Sequence, residues 1–231
     1  MSIKENIAQV RENIAAACAQ AGRSVEEITL VGASKMNDAA ACREAIVAGI
    51  DALGENRVQE MAQKLSENAY EGAPLHFIGH LQRNKVKQVV GKVDLIQSVG
   101  SLELLAEIEK VAAKCDLVQD ILLEVNIGNE EAKSGFAPAE VFAAAETALS
   151  YPHVRVCGLM TIPPFDADRD TNMQYFREVQ ALYVDINTKL FHNELKCLSM
   201  GMSGDYMDAI LCGATMVRVG TAIFGARNYN L

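Results

Sequence analysis

The sequence predicts a single (β/α)8 barrel preceded by an extra N-terminal helix, and three observations carry that expectation. Short apolar runs alternate with helix-patterned segments eight times, the rhythm of a parallel sheet whose strands are joined by helical crossovers. The runs are nearly continuous in apolar residues, as strands buried on both faces require. No Gly-x-Gly-x-x-Gly follows the first strand, which disfavours an open dinucleotide-binding sheet, and eight units favour closure.

The chain opens with an amphipathic helix over 1–20, whose stripe of Ile3, Ile7, Val10, Ile14 and Ala17 is suited to covering the barrel bottom or a partner. Gly22 is placed to end it. Strands are predicted over 28–35, 52–55, 75–79, 95–99, 120–126, 154–162, 197–200 and 216–220. Crossover helices are predicted over 39–49, 57–68, 85–90, 101–115, 139–149, 171–191 and 205–211, with a short one following Thr221. The start signals are Asp38 before the first crossover, Pro138 opening the fifth and Asp170-Thr171 starting the sixth. Pro163-Pro164 and the acidic stretch 166–170 read as a loop after the sixth strand, and residues 1–231 read as one domain.

Composition narrows the function. Half the residues are hydrophobic and 22% are charged, ordinary for a globular chain able to bury one large core. A net charge of −9 argues against nucleic-acid binding. No apolar stretch approaches the roughly 20 residues of a membrane helix. The N-terminus lacks the apolar segment of a signal peptide, so a cytoplasmic location is expected. Arg83, Lys85, Lys87 and Lys92 read as a solvated helix face. The six cysteines form no C-x-x-C pair, and most read as buried free thiols in a reducing compartment. His76 and His80 flank a strand rather than share a helix face, and no metal site is expected. The stretch 128–134 echoes a phosphate-binding P-loop but lacks the glycine before Lys133, leaving Lys133-Ser134-Gly135 as an exposed lysine turn.

In such barrels chemistry gathers at the C-terminal strand ends. Lys35 ends the first strand among Gly32, Ala33 and Ser34. An ammonium placed there is desolvated, which lowers its pKa and frees a nucleophilic amine for Schiff-base chemistry. The competing reading is a lysine that snorkels into water. After strands seven and eight, Ser203-Gly204-Asp205 and Gly220-Thr221 each lead into a helix, offering free N–H groups and hydroxyls to a phosphate. Ordinary capping by Ser203, Asp205 and Thr221 is the alternative. Arg218 stands inside an apolar strand and needs either a structural carboxylate or a ligand atom that only accepts. An amine, a phosphate cradle and a donor-only arginine together describe a pocket for pyridoxal 5′-phosphate (PLP), with an imine on Lys35 and Arg218 facing the ring nitrogen.

At these residues the chain resembles a known family. The stretches Val31-Gly32-Ala33-Ser34-Lys35, Gly54-Glu55-Asn56-Arg57-Val58-Gln59-Glu60, His76-Phe77-Ile78-Gly79-His80-Leu81-Gln82-Arg83-Asn84-Lys85, Gly158-Leu159-Met160-Thr161-Ile162, Leu198-Ser199-Met200-Gly201-Met202-Ser203-Gly204-Asp205 and Val217-Arg218-Val219-Gly220-Thr221-Ala222-Ile223-Phe224-Gly225 are similar to the YggS/PROSC family of PLP-homeostasis proteins. Their barrel is like the N-terminal domain of alanine racemase, PLP fold type III. The resemblance implies that Lys35 carries the imine, with Asn56 and Met160 near the ring, and supports PLP roles for Ser203, Gly204, Arg218, Gly220 and Thr221. Members often carry threonine, proline or a second lysine just after the PLP lysine. This chain reads Met36-Asn37-Asp38, so hand-over to an adjacent lysine is not expected. Lys133 is a weaker candidate for transient PLP contact.

An arginine at the ring nitrogen keeps the pyridine neutral and makes it a weak electron sink. Racemases offset this with two bases, and neither a second base nor a closing β domain is expected here. The expected function is therefore a monomeric carrier that buffers PLP and passes it to apo-enzymes in transient contact. A slow PLP-dependent racemase or decarboxylase is the alternative, and a PLP-free Schiff-base aldolase a weaker third.

Overall fold

The computed structural model describes residues 2–130 and 134–225, and its strands close into a barrel in chain order. The strands are β1 (Thr29–Ala33), β2 (Ala52–Glu55), β3 (Leu75–Phe77), β4 (Leu95–Val99), β5 (Gln119–Val125), β6 (Val154–Thr161), β7 (Cys197–Ser199) and β8 (Met216–Val219). All neighbours pair in parallel, and β8 returns to β1 with Thr29 opposite Met216 and Val31 opposite Arg218. The helices are α1 (Ile3–Ala21), α2 (Ala39–Val47), α3 (Val58–Ser66), α4 (Leu102–Lys114), α5 (Val141–Leu149), α6 (Arg169–Leu190), α7 (Tyr206–Leu211) and α8 (Thr221–Phe224). The expected helix over 85–90 is instead a 3-10 segment, Arg83–Gln88.

Expected strand ends overrun the ladder. β1 stops at Ala33 because the backbone turns, the Asn37 N–H donating to the Ser34 carbonyl at 3.1 Å. Lys35 therefore sits in a turn two residues past the strand. Apolar Ile78 and Met200 likewise lie beyond β3 and β7, buried without belonging to a strand. Three start signals resolve differently. Asp38 caps α2, accepting from the Ala41 N–H at 2.8 Å. For α6 the cap is Asp168, which accepts from Thr171 N–H at 2.9 Å, rather than Asp170-Thr171. Pro138 precedes α5, which begins at Val141 with Glu140 as its flanking residue.

α1 covers the barrel's side rather than its bottom. Ser2 and Glu5 form a reciprocal cap at its start, and Gly22 ends it in the left-handed region at φ 66°. It packs against α2, α7 and α8, burying Ile7, Val10, Ile14, Ala17 and Cys18. α8 has four residues, too few to cover the β8–β1 seam, and α1 fills the place of a full eighth helix. Inside the barrel, Val31, Ala52, Leu95, Leu122, Met160 and Met216 form a separate packed layer. Of the cysteines, Cys18, Cys42 and Cys212 are buried, Cys157 and Cys197 half-buried and Cys115 exposed, so burial holds for fewer than expected. Among the described residues no helix is long and apolar enough to cross a membrane.

Candidate functional site at the barrel mouth

The backbone around Lys35 is held from several sides. Ser34 is buried and its hydroxyl donates to Glu55 Oε1 at 2.5 Å. Met36 adopts φ 62°, a left-handed conformation costly for a non-glycine residue, with its N–H donating to Glu60 Oε2 at 2.8 Å. Asn37 Nδ2 donates to the Lys35 carbonyl at 3.0 Å. Lys35 itself is half-buried and lines a cleft of about 330 Å³.

Beneath this turn lies a polar cluster that sequence reasoning missed. Glu55, fully buried, pairs with Lys64 Nζ at 2.6 Å and accepts from the Tyr70 hydroxyl at 3.0 Å. Lys64 Nζ also donates to the Ser34 carbonyl at 2.8 Å, so α3 reaches under the residue that precedes Lys35. Burial, then the Glu55 carboxylate, push the Tyr70 phenol pKa well above its usual value. Nothing in the local pattern marks Lys64, since a lysine on an amphipathic helix ordinarily faces water.

The cleft joins Lys35 to the loops after β7 and β8. Its lining includes Ser203, Gly204, Arg218, Gly220 and Thr221, together with Asn37, Met202, Phe165 and Phe224. Six of the eight predicted residues thus meet in one place. Ser203 Oγ accepts from the N–H groups of Gly220 at 3.1 Å and Ala222 at 3.4 Å, stitching one loop to the first turn of α8. The capping alternative therefore holds for Ser203, across loops. It does not hold for Asp205, whose carboxylate accepts from Met202 N–H at 2.6 Å and Asn172 Nδ2 at 2.9 Å and makes no cap bond to α7. Nor does it hold for Thr221, which is the first helical residue of α8 rather than its cap. Gly204 faces open space. Among the described residues the lining holds two cations and no carboxylate, a composition suited to an anion.

Arg218 is 4% exposed, and its guanidinium donates to Ser199 Oγ at 2.5 Å and to the Thr161 carbonyl at 2.9 Å. Among the described residues no carboxylate lies within ion-pair distance, so the structural-carboxylate alternative fails. Burial pushes its pKa down to about 10, against the pull of Asp205 and Glu124, and it stays charged at neutral pH. Ser199 donates onward to Gln97 Oε1 at 2.7 Å, and Gln97 Nε2 lies 2.9 Å from His76 Nδ1. Polar groups from β3, β4, β7 and β8 thus link beneath the mouth.

The last two predicted residues lie apart. Asn56 lines a neighbouring cleft of about 400 Å³ with Gly79, His80, Glu124 and Asn126. Gly79 makes this approach possible, because a Cβ there would collide with the Asn56 carbonyl. Met160 is fully buried in the interior layer and lines neither cleft. Lys133 lies outside the described residues.

Comparison with known proteins agrees with this architecture. The family model for the alanine racemase N-terminal domain matches residues 6–228. A pyridoxal phosphate homeostasis protein of Aquifex aeolicus (strain VF5) is 43% identical over 99% of this chain and 100% of its own. One of Escherichia coli (strain K12) is 38% identical over 99% of this chain and 98% of its own. PipY of Synechococcus elongatus PCC7942, solved with PLP bound, superposes with a TM-score of 0.84 at 30% identity, covering 97% of this chain and all of PipY. A barrel closed in this order, matched along nearly its whole length, places the chain in the alanine racemase N-terminal domain family, among its pyridoxal phosphate homeostasis proteins.

Proposed function

We propose that this protein holds PLP covalently on the Lys35 amine, buffers it and releases it to PLP-dependent apo-enzymes, without acting as a turnover catalyst. The observation that carries this is that one cleft is lined by Lys35, Arg218, Ser203, Gly204, Gly220 and Thr221 and, among the described residues, by no carboxylate. PLP supplies an aldehyde that exchanges reversibly between primary amines. Lys35 is the amine, held in register by Ser34, Met36 and Asn37. Ser203, Gly204 and Thr221 receive the phosphate through hydroxyl and N–H donors, while Gly220, whose own N–H is held by Ser203, lets the backbone approach closely. Arg218, which only donates, faces the ring nitrogen and keeps it unprotonated, so the ring withdraws electrons weakly. Asn56 approaches from across the mouth, and Met160 supports the floor from the layer below. Relatives named for PLP homeostasis, and PLP bound in PipY, support the same reading. In this reading residues 1–231 work as one domain, as a monomer in the cytoplasm, meeting apo-enzymes transiently.

The protein loaded with PLP is expected to be yellow, and borohydride to fix the label on Lys35. Lys35→Ala should lose both colour and label. Attachment elsewhere would overturn the assignment. Amino-acid turnover of about 1 per second or more would make the protein an enzyme. Arg218→Ala should keep the attachment but release PLP about tenfold faster, the usual worth of a charged hydrogen bond. An unchanged release rate would remove Arg218 from the site.

A further inference from the structure

Across the mouth from the phosphate loops lies a second set of polar groups whose hydrogen-bonding capacity is unmet. Glu124, near the end of β5, is buried, and it accepts one hydrogen bond, from the Ser134 hydroxyl at 3.1 Å. Among the described residues no cation pairs with it. Burial raises its pKa, partly offset by Ser134, Arg218 and His80. Two clefts, of about 400 and 580 Å³, adjoin here and share His80 and Ser134. Ser98, 2% exposed on β4, lines the larger, and its hydroxyl has no partner among the described residues. Asn56 lines the smaller, and among the described residues its buried carboxamide oxygen is likewise unpartnered.

Buried polar atoms left open are costly unless something completes them. A carboxylate and a carboxamide oxygen can only accept, and a hydroxyl can do so as well. What would satisfy all three is a compact cation carrying several N–H donors. A divalent metal asks for more oxygen ligands than one carboxylate and two neutral groups provide. We propose that these two adjoining clefts form one binding site for a primary ammonium group, that of an amino acid or a lysine side chain, with Glu124 and Asn56 in the smaller cleft and Ser98 in the larger as its acceptors. Its purpose rests on the reading of Lys35 given above: once Glu124 takes the extra proton of the ammonium, the neutral amine is placed to displace the Lys35 nitrogen from PLP, the new imine forming as Lys35 leaves as a free amine. Arg83, exposed on the rim of the larger cleft, would favour an amino acid by meeting its carboxylate.

The test uses protein free of PLP, titrated by calorimetry or NMR with Nα-acetyl-L-lysine amide, with glycine, and with the Nε-acetylated lysine as a neutral control. Binding by either ammonium but not the control is expected. Glu124→Gln should weaken it about tenfold or more, and Ser98→Ala about threefold. A preference for glycine that disappears in Arg83→Ala identifies the free amino acid, and a preference for the lysine amide identifies a protein side chain. Equal affinity for the control, or affinity unchanged in both Glu124→Gln and Ser98→Ala, overturns the proposal. Should Glu124→Gln fail to fold, Ser98→Ala decides, since it removes an unpartnered hydroxyl. The two readings fail separately. A chain that takes up no PLP on Lys35 yet binds ammonium through Glu124 sinks the carrier function alone. A chain that loads normally without such binding sinks this site alone.

Discussion

Arg218 fixes the direction of the hydrogen bonds that run from it to His76. A guanidinium has no acceptor, so Ser199 Oγ must accept from it and send its own proton to Gln97 Oε1. The Gln97 amide then points its N–H at His76 Nδ1, which must be unprotonated to receive it. Burial works the same way, pushing the His76 pKa down to about 4. In the unfolded chain this imidazole would take up a proton near pH 6.5, so unfolding becomes linked to proton uptake as the pH falls. The contribution is absent above pH 6.5, grows downward through the window between 6.5 and 4, and destabilises the fold by about 3 kcal/mol at its lower end. NMR titration is expected to show the His76 ring neutral down to about pH 5. Titration of this ring near its ordinary value would mean that the chain of donors runs differently.

At the scale of elements, the eight strand–helix units were legible because parallel strands buried on both faces write themselves as apolar runs. Their ends were not, since Ile78 and Met200 remain apolar and buried after the ladder stops. The gathering of Lys35, Ser203, Gly204, Arg218, Gly220 and Thr221 followed from strand order alone, because closure brings the end of β1 beside those of β7 and β8. Lys64 could not be read this way. Its burial depends on how α3 rolls against β2, a tertiary choice that an amphipathic stripe does not specify. The same pair makes α3 part of the site's support, tying Glu55 on β2 to the Ser34 carbonyl. Lys64→Met would leave Glu55 buried without its cation, and a cost of about 3–5 kcal/mol is expected in urea unfolding. Adding Glu55→Leu should recover part of that loss, because replacing both members of a buried pair is far less harmful than removing one. If the single variant is as stable as the parent, the pair is not what holds the turn under Lys35.

The molecule as a whole closes its last seam with a helix from the wrong end of the chain. α8 is too short to shield β8 and β1, so α1 lies over them, between α2 on one side and α7 and α8 on the other. Polar contacts fasten it there. Asn6 Nδ2 donates to the Ile223 carbonyl at 2.8 Å, Asn13 Nδ2 to the Tyr206 hydroxyl at 2.9 Å, and Arg23, just past the helix, to the Ala214 carbonyl at 2.8 Å. Each of these partners belongs to the β7–β8 end of the barrel, where the loops carrying Ser203, Gly204, Gly220 and Thr221 hang. α1 is thereby packed behind the proposed cofactor cradle although none of its residues lines the cleft. Ile14, 3% exposed at the middle of the buried stripe, is the place to test this. Ile14→Ala is expected to cost about 2–5 kcal/mol of stability, the usual range for an emptied core position. If α1 braces the cradle, amide hydrogen exchange should accelerate most in β8 and α8, and PLP should leave faster, while protection in β3 to β5 changes little. An even loss of protection around the barrel, with PLP retention unaltered, would reduce α1 to a general stabiliser of the core.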